Sequence, residues 1–302
     1  MANNKLTVYV SESGGPGALC AIKSFRLLES IYPKLTVEII SSDCDNFAVG
    51  KSLSDKFYTC PMASKDKNEY VKFLYETFKK EKVDLIIPTG EYDVKLFSIN
   101  KDVWPETKIF VSPTKSIDIC QDKFLFYETL YKKFNMPLTV RGDLFQKPNR
   151  SAGSRNTKKI ENNDDYIIQE NLPGTEYTVD VFCDQFSQSM GTVVRERVVV
   201  KSGISTQSKV CNDSKENLVN ISEKLCEHLK LVGPVCIQFK QDKYGEDKLV
   251  EVNPRLGGGS IVSTLSGVNF ADLYYQLYKG LTPKYKEPDN IFVSRYLEEV
   301  VF

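Results

Sequence analysis

Val250-Glu251-Val252-Asn253-Pro254-Arg255-Leu256-Gly257-Gly258-Gly259-Ser260 is the stretch around which this chain organises itself. Its first residues read as the end of a strand. Side chains alternate faces along a strand, so Glu251 and Asn253 project to the same side. The preceding run Val235-Cys236-Ile237-Gln238-Phe239 reads as another strand, and Gln238 lies beside them if the two pair as a hairpin. A carboxylate flanked by two amide oxygens is a donor set for a hard cation such as Mg2+. Arg255, at the strand end, is placed to grip a phosphoryl group as it transfers. The glycines that follow let backbone approach a ligand closely. The competing reading is a solvated strand face followed by a flexible loop.

Outward from that hairpin, the second half of the chain reads as α+β with a largely antiparallel sheet. Strand-like runs lie at 166–168, 177–182, 192–194 and 198–200, and helices at 214–230 and about 270–279. Residues 118–134 read as one helix. The first third instead alternates strand and helix: strands at 6–10, 36–40, 83–87 and 108–111, helical stretches at 18–31 and 67–80. That alternation indicates a parallel sheet with right-handed crossovers. Ser13-Gly14-Gly15-Pro16-Gly17 falls between the first strand and its helix. Backbone N–H groups there could receive an anion, as in dinucleotide sites, or the glycines could serve only the turn.

Composition narrows the chemistry. The 302 residues carry 40 Lys+Arg and 40 Asp+Glu, a balance unlike that of a dedicated nucleic-acid binder. No stretch approaches the roughly 18 to 20 apolar residues of a membrane span, and the polar start of the chain does not read as a signal peptide. A cytoplasmic location is therefore expected. The 8 cysteines are scattered, without CxxC spacing, as small core residues in a reducing compartment are. With 1 histidine, His228, in the chain, a His-rich metal site is impossible, and chemistry falls to Lys, Arg, Glu, Asp and Asn.

The E-x-N-P-R segment resembles the metal-binding strand of the ATP-grasp superfamily. It is most similar to carbamoyl-phosphate synthase large chain-like ATP-grasp ligases. Further motifs follow in the family's order through residues 116 to about 280. Asp122-Lys123 resembles the helix start whose basic residue contacts nucleotide phosphates. Phe145-Gln146-Lys147-Pro148 with Ser151-Ala152-Gly153-Ser154 is similar to the strand and loop that cover them. Ile168-Gln169-Glu170-Asn171-Leu172 resembles the hinge that meets adenine. Gly174-Thr175-Glu176-Tyr177-Thr178-Val179-Asp180 is similar to the block whose Glu binds ribose. Arg195-Glu196-Arg197 and Lys201-Ser202-Gly203 resemble the strand and turn that face the acyl-acceptor pocket. One region departs from the family pattern: 136–166 is shorter, with Glu161-Asn162-Asn163-Asp164-Asp165 where relatives have a helix, so a reduced lid is expected.

The resemblance implies an α/β plus α+β architecture: a Rossmann-like pre-ATP-grasp domain at 1–115, then a two-lobed ATP-grasp domain at 116–302, its lobes at 116–170 and 171–302. It implies ATP and Mg2+, or Mn2+, as cofactors. Gln238, Glu251 and Asn253 become the metal residues. Lys123, Lys147, Ser151, Gly153, Ser154, Gln169, Glu170, Leu172 and Glu176 become the nucleotide residues, and Arg255, Arg197 and Lys201 the catalytic ones. The implied reaction activates a small-molecule carboxylate as an acyl phosphate for attack by an amine, with no nucleic-acid or membrane partner, and a homodimer is compatible with it. Bicarbonate or another phosphoryl acceptor, a nucleotide-binding module without turnover, and a reductase resting on SGGPG alone are the alternatives.

Overall fold

The computed structural model describes residues 4–142, 144–146, 158–160, 166–281 and 286–302. The chain opens with β1 (Asn4–Val10), α1 (Pro16–Arg26), α2 (Leu28–Ile31) and β2 (Leu35–Asp43). It continues through α3 (Gly50–Leu53), β3 (Lys56–Thr59), α4 (Lys67–Glu81), β4 (Leu85–Ile87), α5 (Glu91–Asn100) and β5 (Lys108–Ile109). These strands form a parallel sheet in the order β3-β2-β1-β4-β5. The order reverses direction between β1 and β4, which opens a crevice at their carboxyl ends. Helix α5 was not apparent in the sequence because its buried positions include Asp93 and Ser98 beside Val94, Leu96 and Phe97, which blurs the apolar period.

The helix expected at 118–134 is two helices, α6 (Thr114–Gln121) and α7 (Lys123–Leu130). Asp122 breaks them. Its backbone is extended and its carboxylate accepts the N–H groups of Phe124 and Leu125, as an N-cap does. Two small ribbons follow, β6 (Thr139–Val140) with β9 (Ile168–Gln169), and β7 (Leu144–Gln146) with β8 (Lys158–Ile160).

The second large sheet is antiparallel. It contains β10 (Glu176–Cys183), β11 (Ser189–Lys201) and β12 (Ile204–Val210), then, after α8 (Glu216–Leu229), β13 (Gly233–Gln241) and β14 (Asp247–Asn253). Helices α9 (Ile261–Leu265) and α10 (Phe270–Tyr278) precede an edge strand, β15 (Phe292–Ser294), and the order is β14-β13-β10-β11-β12-β15. The two short strands read at 192–194 and 198–200 are one strand, β11, whose register shifts after Arg197 and again after Val199. Its neighbour β12 carries Ser205, Thr206, Gln207 and Ser208 in succession, so neither strand alternation nor β-branched enrichment announced it.

One face of this sheet packs on α7 and α8 through Val179, Val181, Ile237 and Val194 against Phe126, Leu218 and Leu225. A second core is shared by both large sheets: Leu6, Val8 and Phe25 of the first part join Phe182, Leu256, Phe270 and Tyr274 of the second. A third lies under the parallel sheet around Tyr9, Phe78, Phe97 and Trp104. Six cysteines, at 20, 120, 183, 211, 226 and 236, are buried, and all eight are free. Among the described residues no helix is long and apolar enough to cross a membrane.

Candidate functional site

The β13–β14 hairpin forms, and its register sets Gln238 opposite Glu251 and Cys236 opposite Asn253. Residues directly opposite share a face, so Gln238, Glu251 and Asn253 stand together. Asn253 Nδ2 donates to Glu251 Oε1 at 3.0 Å, and Arg255 Nη2 reaches Asn253 Oδ1 at 3.4 Å. The same face continues across the sheet. Thr178 of β10 is paired with Gln238 on one side and with Arg195 of β11 on the other.

This face floors a cavity of about 210 Å3 whose walls include Arg195, Arg197, Gln238, Asn253, Arg255 and the 257–259 backbone. A smaller cavity, about 100 Å3, is lined by Lys123 together with Glu91, Glu251, Asn253 and Arg255. The cap of α7 thus delivers Lys123 to the strand that carries the oxygen donors.

The arginines differ in what holds them. Arg195 is 3% exposed and forks onto Asp180, with Nε to Oδ2 at 2.8 Å and Nη2 to Oδ1 at 3.1 Å. Burial would favour its neutral form, but Asp180 overrides this and raises its pKa above the ordinary arginine value. Ser263 Oγ also donates to Asp180, at 2.7 Å. Arg197 donates through Nη1 to Glu176 and through Nη2 to the Gly203 carbonyl at 2.6 Å. Lys201 is exposed at the end of β11, two residues before that glycine.

At the hinge, Gln169 Nε2 donates to Thr139 Oγ1 at 3.0 Å, and Leu172 is buried. The Glu170 carboxylate accepts the Leu138 N–H at 3.1 Å and Lys248 Nζ at 3.2 Å, which hold its pKa below the usual carboxylate value. Its side chain therefore fastens the hinge to β14. Lys147, Ser151, Gly153 and Ser154 lie outside the described residues.

The glycine run, whose backbone walls the cavity, also makes room for the protein's own groups. A Cβ at Gly257 would lie 2.8 Å from Cys236 Sγ, at Gly258 3.1 Å from the Pro16 ring, and at Gly259 2.6 Å from Arg195 Nη1. The protein's own groups occupy that space. The SGGPG turn is likewise engaged internally: Gly14 N–H bonds Asp43 Oδ2 at 2.9 Å, Ser13 N–H the Ser42 carbonyl at 3.0 Å, and Gly15 N–H the Glu12 carbonyl at 2.9 Å. Gly17 lets α1 abut the Leu256 carbonyl, which a Cβ would meet at 2.9 Å.

Sequence reasoning missed three contributors. Asp180 ends the G-x-E-Y-T-V-D block, and a charged residue within so apolar a strand is itself a signal. Arg295 donates to the Gly258 carbonyl at 2.6 Å from beyond β15, and no local pattern marks it. Glu12, in a left-handed backbone conformation (φ +48°), lays its carboxylate across Gly90 at the β1/β4 crevice. Though the residue as a whole is exposed, its carboxyl end is tucked against Gly90 and is pushed up to about 7, first by loss of surrounding water and then by Asp93 and Asp43, with Arg255 opposing.

Residues 162–300 match the family described as ATP-grasp in the biosynthetic pathway with Ter operon. The carbamoyl phosphate synthase large chain of Agathobacter rectalis is 24% identical over 298 residues, covering 85% of this chain; the match spans 26% of the synthase. The biotin carboxylase domain of Hydrogenobacter thermophilus 2-oxoglutarate carboxylase, solved with MgADP, ADP and bicarbonate, has a similar fold. Its TM-score is 0.67 at 11% identity, covering 95% of this chain and 73% of that one. L-amino acid ligase from Bacillus licheniformis has a TM-score of 0.61 at 14% identity, covering 94% of this chain and 75% of its own.

Proposed function

We propose that this chain, which has the ATP-grasp fold, is an ATP-dependent ligase that activates a small-molecule carboxylate for attack by an amine. The observation that carries the proposal is the contiguous face on which Gln238, Glu251, Asn253, Arg255 and Arg197 stand, with Lys123 reaching the same strand. We take 1–115 as a first domain and 116–302 as the ATP-grasp domain, with the nucleotide between lobes at 116–170 and 171–302. Substrate enters from the side of the β1/β4 crevice and the 257–260 loop.

The donor set fits a hard divalent cation, since one carboxylate and two amide oxygens share the face with one backbone register fixing all three. Gln238, Glu251 and Asn253 would hold Mg2+, which when bound neutralises phosphate charge and orients the group in transfer. Lys123 meets the nucleotide phosphates and Glu176 the ribose. The acid's carboxylate oxygen attacks the γ-phosphorus and ADP departs. The amine nitrogen then attacks the acyl carbon, phosphate leaves, and the nitrogen gives up a proton. Arg255 and Arg197 stabilise the negative charge that passes between these sites, and Lys201, exposed at the end of β11, would meet the acceptor from outside.

ADP release from ATP across arrays of acids and amines tests this. Release should require one of each and fall on the order of 100-fold in Glu251→Ala. Turnover near wild type in that variant overturns the assignment. Bicarbonate in place of the acid is the second reading, favoured by a cavity of about 210 Å3, small beside ordinary ligand pockets. ADP release that needs bicarbonate and no organic acid would identify it.

A further inference from the structure

We infer that Arg197 is a positioning residue that links nucleotide occupancy to the β11–β12 turn over the substrate cavity. The inference rests on the reading of Glu176 as the ribose acceptor. Glu176 opens β10, and the register that sets Tyr177 opposite Glu196 brings Arg197 beside it on the cavity face. The Arg197 side chain is 9% exposed and that of Glu176 25%. One guanidinium nitrogen donates to Glu176 Oε1, while the other donates to the Gly203 carbonyl at 2.6 Å. A single side chain therefore ties the ribose candidate to the turn.

The turn is set apart from the sheet by its local geometry. Ser202 and Gly203 both have positive φ, +48° and +75°, between the paired Lys201 and Ile204, a two-residue hairpin turn. Below it, the β11–β12 ladder shifts register twice, after Arg197 and after Val199, so the regular pairing with β12 is broken between the turn and the rest of the sheet. Gly203, Ile204 and Ser205 form one wall of the cavity. The Arg197 brace spans the interruption.

A ribose diol donating to Glu176 meets a carboxylate whose Oε1 already accepts from Arg197, so ribose and guanidinium compete for the same oxygen. Arg197 then leaves Glu176 with its charge uncompensated and turns toward the cavity, releasing or re-seating the Gly203 turn. Nucleotide binds first, and the acid meets a cation that the empty enzyme keeps neutralised. Reciprocity requires that the acid in turn tighten the nucleotide.

Amide hydrogen exchange over residues 168–172 and 199–206, with MgADP and with the magnesium salt of 2′,3′-dideoxy-ADP, separates the possibilities. MgADP should slow exchange at 168–172 and change it at 199–206. The dideoxy nucleotide should slow 168–172 and leave 199–206 as in the free protein. Arg197→Lys, which keeps charge but cannot hold both partners, should show an altered 199–206 before any nucleotide is added and no further response. Protection at 168–172 with 199–206 unmoved by MgADP overturns the inference and leaves the nucleotide site standing, as does an identical response to both nucleotides. Failure of MgADP to bind overturns the nucleotide site and the inference with it.

Discussion

Asp93 illustrates how a single residue's surroundings set a measurable property. It is 1% exposed at the first turn of α5 and accepts a hydrogen bond from Tyr70 Oη at 3.1 Å. Burial pushes its carboxyl up from 3.8 to about 6, against the lowering effect of Ser11 and Tyr70. The folded protein therefore holds this proton where the unfolded chain has released it. Stability from this group is present below pH 4 and is lost as pH rises toward 6. Asp93→Asn removes the titration while keeping an acceptor for Tyr70, and should be more stable than wild type at pH 7.5 by on the order of 2 to 3 kcal/mol. Urea midpoints should converge as pH falls toward 4; an equal difference at both pH values would contradict the assignment. At this scale the sequence was legible where chemistry is local. Glu251 and Asn253 share a strand, two residues apart, and Gln238 needed only a hairpin. The Asp180–Arg195 pair was not legible as such, because the burial that makes it consequential comes from α9 and the glycine run folding over it.

At the scale of elements, the 257–259 run walls the cavity and also packs closely against the protein's own groups. Arg195 is clamped by Asp180 and cannot yield, so a Cβ at Gly259 forces the loop itself to move. Gly259→Ala should cost about 1 to 3 kcal/mol in urea unfolding. Gly257→Ala meets the thiol of Cys236 and should behave similarly. A neutral Gly259→Ala would show that the loop has slack. The same scale explains several misread boundaries. Asp122 splits α6 from α7 because its side chain caps the second helix, a competition between local hydrogen bonding and helix continuation that apolar spacing does not register. Strand β12 was hidden by polar residues on both its faces, and β11 was read as two strands because Arg195, Glu196 and Arg197 interrupt its β-branched runs.

Over the whole molecule, the parallel sheet was readable from short apolar runs at regular spacing, and the antiparallel sheet from β-branched ones. The join between them was not, because it is made by residues far apart in the chain: Phe182 on β10 packs edge-on to Tyr274 on α10, with rings 4.7 Å apart, in a core that also takes Leu6 and Phe25. Such contacts leave no periodic trace. They make the two sheets share one core, so the two should unfold together, and Trp104, in the core beneath the parallel sheet, reports that unfolding. Trp104 is the sole tryptophan and reports unfolding without a label. Its fluorescence during thermal unfolding, with and without MgATP, in wild type and Glu251→Ala, is the direct test of the ATP and metal site. MgATP at about 100 times its dissociation constant should stabilise wild type by about 2.7 kcal/mol in a single transition, with the shift much reduced in Glu251→Ala. No shift in wild type, or the same shift in both proteins, would contradict it.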